Sequence, residues 1–306
     1  MDVGLEIDTP RDAGCVLRFS HEAMATVFEV YAVHPDERYA SQAAHAAFDL
    51  ADRLEGQLSR FIPNSDIARI NRLAAGECTR VGPATLECLL IARHVFDLTG
   101  GAFDVSIGTG LPLLDLDPDG FVVRAAEDGV QIDLGGIGKG YAVDLMAERL
   151  EEWGVTTALV HGGFSSVLAL DAPAGSEGWP LTFSDPGGAS RVLSHLSVRQ
   201  AALGASGLRK GDHIVDPRTG APGRERLAAW VVVRRPEQAG ATPSTVATPR
   251  AAAVADALTT AFMILGPEEI GRLWQRNPQF EAWILPSPAA GPKGGTGLLH
   301  FGGAAG

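Results

Sequence analysis

Along the chain, apolar positions recur with a period of two in some stretches and near 3.6 in others, and the change of period predicts the elements. Val16–Phe19 and Thr26–Val33 are rich in β-formers and flank a polar turn, which predicts two short strands. From Glu37 to Gln57, Ala43, Ala47, Leu50, Ala51 and Leu54 fall on one face of a helix. Asn64-Ser65-Asp66 is a cap-like start for a short helix through "NSDIARINRL". Pro83 to Leu98 predicts another helix, with proline in its first turn and Gly100-Gly101 beyond its end.

Phe121–Arg124 and Gly129–Asp133 predict a hairpin that feeds a glycine-rich turn. Beyond that turn, Ala142, Leu145, Met146 and Leu150 form a helical stripe, so a helix begins near Gly138. "TTALVHGG" and "SSVLAL" predict strand, turn and strand. Ser194–Leu203 and His213–Asp216 are further strand candidates, and "LAAWVVVR" predicts a buried strand. "RRPEQAGATPSTVATPRA" is polar and aperiodic, an exposed connector. Ala251–Leu265 predicts a helix ended by Gly266-Pro267, and Glu281–Leu285 a last strand. From Pro286 the chain is mostly Gly, Ala and Pro, which predicts a disordered tail. No internal repeat is visible, and the order of elements is α+β without regular βαβ alternation.

Composition narrows the class of partner. The 306 residues are 45% hydrophobic and 20% charged, an ordinary globular balance. A formal net charge of −12 argues against a nucleic-acid footprint. Cys15, Cys78 and Cys88 have neither metal-site spacing nor an even disulfide count. The first twenty residues lack a signal-peptide pattern, and no apolar run reaches membrane-spanning length. A cytoplasmic protein without a membrane span is expected.

Three stretches carry candidate chemistry. "IDLGGIGKGYAVD" combines glycines, a lysine and a helix start, features that suit phosphate. It is not a P-loop: Asp133 stands at the first glycine and Gly140 at the Ser/Thr. Nor is it a dinucleotide fingerprint, since Gly136, Gly138 and Gly140 are spaced G-x-G-x-G. A tight strand-to-helix turn that binds nothing is the competing reading. In "AVADALTTAFMILG", Asp256 and Thr260 are i, i+4 on one helix face, two hard oxygen donors suited to Mg²⁺. An aspartate near a helix start and a threonine bonding back into the helix explain the same pair structurally. In "KGDHIVDPRTGAP", His213 precedes a turn that carries Asp216, Arg218 and Thr219. That histidine suits a general base, and a turn held by its own aspartate is the alternative.

Taken in order, "AMATVFEVY", "LSRFIPNSDIARIN", "TGGAFDVSIG", "IDLGGIGKGYAVD", "GASG", "HIVDPRTGAP" and "VADALTTAFMILGPEE" resemble the ApbE-like FAD:protein FMN transferases from about Met24 to Glu269. The resemblance implies a two-lobed α+β fold with a flavin-binding cleft between the lobes. It implies residues 1–15 as an N-terminal extension, 16–285 as a single domain and 286–306 as the tail. The implied reaction moves FMN from FAD to a Ser or Thr hydroxyl of an acceptor protein and releases AMP, with Mg²⁺. Hydrolysis of FAD to FMN and AMP, and FAD binding without turnover, are the alternatives. The implied metal ligands are the Gly136 carbonyl, Asp256 and Thr260. Thr259 stands where some members carry an acidic ligand. The implied FAD contacts are Met24, Phe61, Ala102, Phe103, Asp104, Asp133, Lys139 and Val215, and His213 matches the base toward the acceptor hydroxyl. In "VHGGFSS", His161 and Phe164 replace two asparagines of the family pattern.

Overall fold

The computed structural model describes residues 5–7, 15–186, 191–207, 214–223, 225–235, 250–287 and 297–302. The elements run β1 (Leu5–Ile7), β2 (Leu17–Ala23), β3 (Thr26–Ala32), α1 (Glu37–Leu58), α2 (Asp66–Ile70), β4 (Cys78–Arg80) and α3 (Pro83–Leu98). They continue with β5 (Leu114–Asp117), β6 (Val122–Ala125), α4 (Gly138–Glu152), β7 (Ala158–Gly162), β8 (Ser166–Ala169), β9 (Trp179–Ser184), β10 (Val192–Val198) and β11 (Ala201–Gly207). The last are β12 (Arg226–Arg234), α5 (Ala251–Phe262), α6 (Pro267–Arg276), β13 (Phe280–Pro286) and β14 (Leu299–Phe301).

Local signals account for the helices. Asp36 caps α1 by accepting from the Tyr39 amide at 3.1 Å, and an alanine-rich stripe faces inward. Ser65 caps α2, accepting from the Ala68 amide at 2.9 Å. Asp66 turns inward instead and accepts from the Gly82 amide and the Thr85 hydroxyl, both at 2.7 Å.

Eight strands form the main sheet in the order β14-β13-β12-β11-β8-β7-β3-β2, with every neighbouring pair antiparallel. Both faces are buried, so the period of two sorts side chains between two cores. Phe28, Val30, Leu168, Ala202, Val231 and Ile284 face α1, α4 and α5. Tyr31, Leu159, Val167, Leu203, Trp230 and Trp283 face the small sheet β1-β9-β10. There Phe183 stacks on Trp230 with ring centroids 5.0 Å apart. The third sheet, β4-β6-β5, contributes Leu114, Val123 and Ala125 to the helix-side core.

Several expectations are corrected. Gly129–Asp133 forms no strand, and β6 pairs with β5 and β4. The side chain of Asn71 takes the place of a partner strand: its Oδ1 accepts from the Ile132 amide at 2.7 Å and its Nδ2 donates to the Ile132 carbonyl at 2.9 Å. The run Ser194–Leu203 is broken into β10 and β11 by a reversal at Arg199-Gln200, where Gln200 adopts φ +47° and both side chains bond Asp171. No glycine or proline marks that reversal. Val215 makes only an isolated bridge to Pro222. The helix from Ala251 ends at Phe262, and α6 follows, capped at Gly266 by the Glu269 side chain. From the stretch expected as a tail, Leu299–Phe301 returns to pair with β13. The connector 236–249 lies outside the described residues.

One polar cluster is buried against the small sheet. Glu29 accepts from the Arg18 guanidinium, from the Tyr31 hydroxyl at 3.0 Å, and pairs with His161 Nε2 at 2.7 Å. Burial opposes its charge, but bonds from His161, Arg18 and Tyr31 prevail and hold its carboxyl at about 2. A depressed carboxyl pKa stabilises the fold above the unfolded value and is lost as pH falls. Denaturant titrations should therefore show wild type losing roughly 3 kcal/mol as pH falls from about 4.5 to about 2. Glu29→Gln should start less stable at neutral pH and lose that limb of the profile. Equal acid sensitivity in both proteins would disprove the assignment.

Candidate functional site

α5 carries the two residues predicted as metal ligands, and its placement depends on backbone contact. A Cβ on Gly140 would lie 2.2 Å from the Ala252 carbonyl oxygen, so only glycine lets α4 lie this close to α5. Asp144, two turns from the start of α4, accepts from the Ala252 and Ala253 amides at 3.0 and 2.9 Å. Asp144 thereby satisfies orphan donors at the start of α5. Burial pushes its carboxyl up to about 7 against those bonds.

One turn further along α5, Asp256 is 4% exposed. Its Oδ2 accepts from the Gly140 amide at 2.9 Å and faces Lys139 Nζ at 3.7 Å. Ser166 Oγ lies 2.7 Å from both carboxylate oxygens. Burial raises the Asp256 carboxyl above its ordinary value, opposed by Lys139, Ser166 and the Gly140 amide. Thr260 donates weakly to the Asp256 carbonyl at 3.3 Å, which leaves its oxygen lone pairs available. Gly136 adjoins it: a Cβ there would sit 3.3 Å from both Thr260 Oγ1 and Phe103 Cε2. Thr259 is buried, bonding the Asp256 carbonyl at 2.7 Å and accepting from Ser206 at 2.9 Å.

Of these groups, Phe103, Gly136, Lys139, Ser206, Asp256 and Thr260 line a cavity of about 800 Å³. Nine predicted residues line it: Ala102, Phe103, Asp104, Asp133, Gly136, Lys139, Val215, Asp256 and Thr260. They come from chain segments more than 150 positions apart, gathered at one place. Asp104 and Asp133 also shape their own loops. Asp104 accepts from Ser106 and Gly108, and Asp133 accepts from the Gly135 amide at 2.9 Å.

Other predicted residues are placed elsewhere. Phe61 is 78% exposed and does not line the cavity; Arg60 lies over its ring at 4.6 Å and pairs with Asp133 Oδ2 at 3.0 Å. Arg60 therefore links the exposed ring to the cavity wall. Met24 is at the β2–β3 turn, beside a separate cavity of about 430 Å³ with Glu22 and Glu55. His213 lies outside the described residues; its neighbour Ile214 lines the large cavity. The following turn is held by its own aspartate, which accepts from the Arg218 amide at 2.9 Å and binds the Arg218 guanidinium at 2.9 Å through each oxygen.

Sequence reading missed Ser166, Ser206, Arg60 and Ile107. A signal existed for Ser166, since it alternates in register with Leu168 on the helix-facing side of β8. Nothing local marks the others.

Fold and site together define an antiparallel α+β protein with a large cavity that has a buried carboxylate and a lysine at its floor. The comparisons with known proteins name the family. A sequence model of the ApbE family matches residues 24–121 and 109–284, so the chain belongs to the ApbE family. The FAD:protein FMN transferase of Vibrio cholerae is 22% identical over 300 residues, 84% of this chain and 85% of that protein. The FAD:protein FMN transferase of Treponema pallidum is 26% identical over 292 residues, 79% of this chain and 76% of that protein. Among solved structures, the apo flavinyl transferase ApbE of Pseudomonas stutzeri superposes with a TM-score of 0.75 at 25% identity, covering 94% of this chain and 93% of that one. The ApbE protein of Thermotoga maritima shares the fold, with a TM-score of 0.75 at 21% identity over 89% and 94% of the two chains. No described helix is long and apolar enough to cross a membrane.

Proposed function

We infer that this protein transfers FMN from FAD to a Ser or Thr hydroxyl of an acceptor protein and releases AMP. Family membership supports the reaction class. The observation that carries it to this chain is the cavity that joins Lys139, Asp256 and Thr260 to the "AFD" loop and to Ile214, Val215 and Pro217. Its volume is in the range of small-molecule and cofactor sites. We read it as the flavin cleft between two lobes, within a single domain spanning 16–285.

The donor chemistry fits Mg²⁺. Asp256 and Thr260 present a carboxylate and a hydroxyl to the cavity, hard oxygen donors that suit an ion taking few protein ligands and keeping sites for water and phosphate. Asp256, Thr260 and the Gly136 carbonyl would hold it. When bound, the ion supplies charge neutralisation at the diphosphate.

The chain's own residues do the positioning that phosphoryl transfer requires. Lys139, in the first turn of α4, lines the cavity and offers a cation to the diphosphate. Ser166 and the Gly140 amide orient the Asp256 carboxylate. The acceptor hydroxyl attacks the FMN phosphorus, the bond to the bridging oxygen breaks, and AMP leaves. His213 is the residue we assign to take the hydroxyl proton. Ala102, Phe103, Asp104, Asp133 and Val215 would contact FAD, with Phe61 and Met24 contributing only if FAD extends beyond the cavity.

The test is AMP release from FAD by purified protein, with and without Mg²⁺, beside mass analysis of an acceptor domain. Magnesium-dependent AMP release coupled to a mass gain of one FMN is expected. AMP release with no modified acceptor would favour FAD hydrolysis. Binding of FAD with no release in any condition would leave a non-catalytic carrier.

A further inference from the structure

Ile107 combines two features that a structural role does not require. Its backbone lies at φ +50°, a left-handed conformation that β-branched residues avoid. The residue is 58% exposed and lines the large cavity. An isoleucine that is neither relaxed nor buried in the core needs another reason to be there.

The neighbours impose the conformation. Asp104 Oδ1 accepts from the Ser106 amide at 2.8 Å and its hydroxyl at 2.7 Å, while Oδ2 accepts from the Gly108 amide at 2.9 Å. Ser106 Oγ in turn accepts from the Gly110 and Leu111 amides at 3.0 and 2.8 Å. Gly108 packs on the next loop: a Cβ there would lie 2.8 Å from the Pro217 carbonyl. Strain of this kind persists where the surroundings over-determine it, and it concentrates at ligand sites. The contact of Gly108 with Pro217 sets Ile107 beside the stretch that carries Val215 and Pro217, and all three add apolar surface to the cavity that Lys139 and Asp256 also line.

We propose that Ile107 is a specificity residue whose side chain packs against a planar ring of the dinucleotide, held in left-handed strain by Asp104 and Ser106 to make that contact. This rests on the reading of the cavity as an FAD site. Apolar contact with a flat ring suits flavin and adenine alike, and fragments of FAD separate the two.

The experiment compares wild type, Ile107→Gly and Ile107→Val by thermal melting and by titration with FAD, FMN and ADP. Glycine removes the strain and the contact together. Ile107→Gly should hold or raise Tm while binding FAD about tenfold more weakly, the scale of losing one buried aliphatic side chain. The loss should reappear with FMN alone if the ring is flavin, or with ADP alone if it is adenine. Ile107→Val should bind FAD within about threefold of wild type. Unchanged FAD affinity in Ile107→Gly, or a marked fall in Tm, would overturn the proposal and make Ile107 a structural residue. A wild type that fails to bind FAD would overturn the FAD reading itself, and this contact with it.

Discussion

Replacing Asp256 with asparagine is expected to lower magnesium-dependent AMP release about a thousandfold, or about 4 kcal/mol of transition-state stabilisation. The carboxylate is buried, faces Lys139 at 3.7 Å and is the one acidic side chain among the three proposed metal ligands. Asparagine matches its shape and still accepts from the Gly140 amide, so the fold should survive. The charge that would hold the metal disappears, and Lys139 loses its partner. Measuring initial rates against Mg²⁺ concentration checks this, with a melting curve as the control for folding. FAD binding without metal should change only a few-fold, since the proposed ring and loop contacts do not involve Asp256. A rate within tenfold of wild type at saturating Mg²⁺ would remove Asp256 from the metal site.

Gly140→Ala is expected to destabilise the protein by about 3 kcal/mol or more. In the sequence this glycine belongs to a stretch suited to phosphate. In the structure a Cβ at that position meets the Ala252 carbonyl oxygen at 2.2 Å and its carbon at 2.6 Å. Neither atom can rotate away, so α4 and α5 must separate. Separation also stretches the bond from the Gly140 amide to Asp256, so activity should fall even below the melting temperature. Tm should drop by about 10 °C on the scale of large domains. Gly138→Ala is the control: its nearest neighbour would be Leu134 Cβ at 3.7 Å, ordinary contact. If both variants melt alike, close helix packing is not what Gly140 provides.

The Asp256 charge and the Gly140 contact differ in how far the sequence reveals them. A carboxylate and a hydroxyl at i, i+4 in an apolar helix are visible as a local exception. A clash between residues 112 positions apart is not. The same divide runs through the fold. Helices α1, α3 and α4 were legible because periodicity and caps are properties of neighbouring residues. So were the hairpins β2–β3 and β7–β8, whose partners are adjacent in the chain. Gly129–Asp133 misled because its partner is the side chain of Asn71. The reversal at Arg199-Gln200 was hidden because Asp171, not a glycine, holds it.

By itself, the sequence determined the α+β class, most helices, and the motifs that supply Lys139, Asp256, Thr260 and the cavity loops. Tertiary structure alone decided the sheet order, the return of β14, the Ser166 bond to Asp256 and the strained exposure of Ile107. The physical reason is range. Helical period and capping are settled within a few residues, whereas strand order, close backbone contact and the orientation of a buried carboxylate depend on partners brought together only when the whole chain packs.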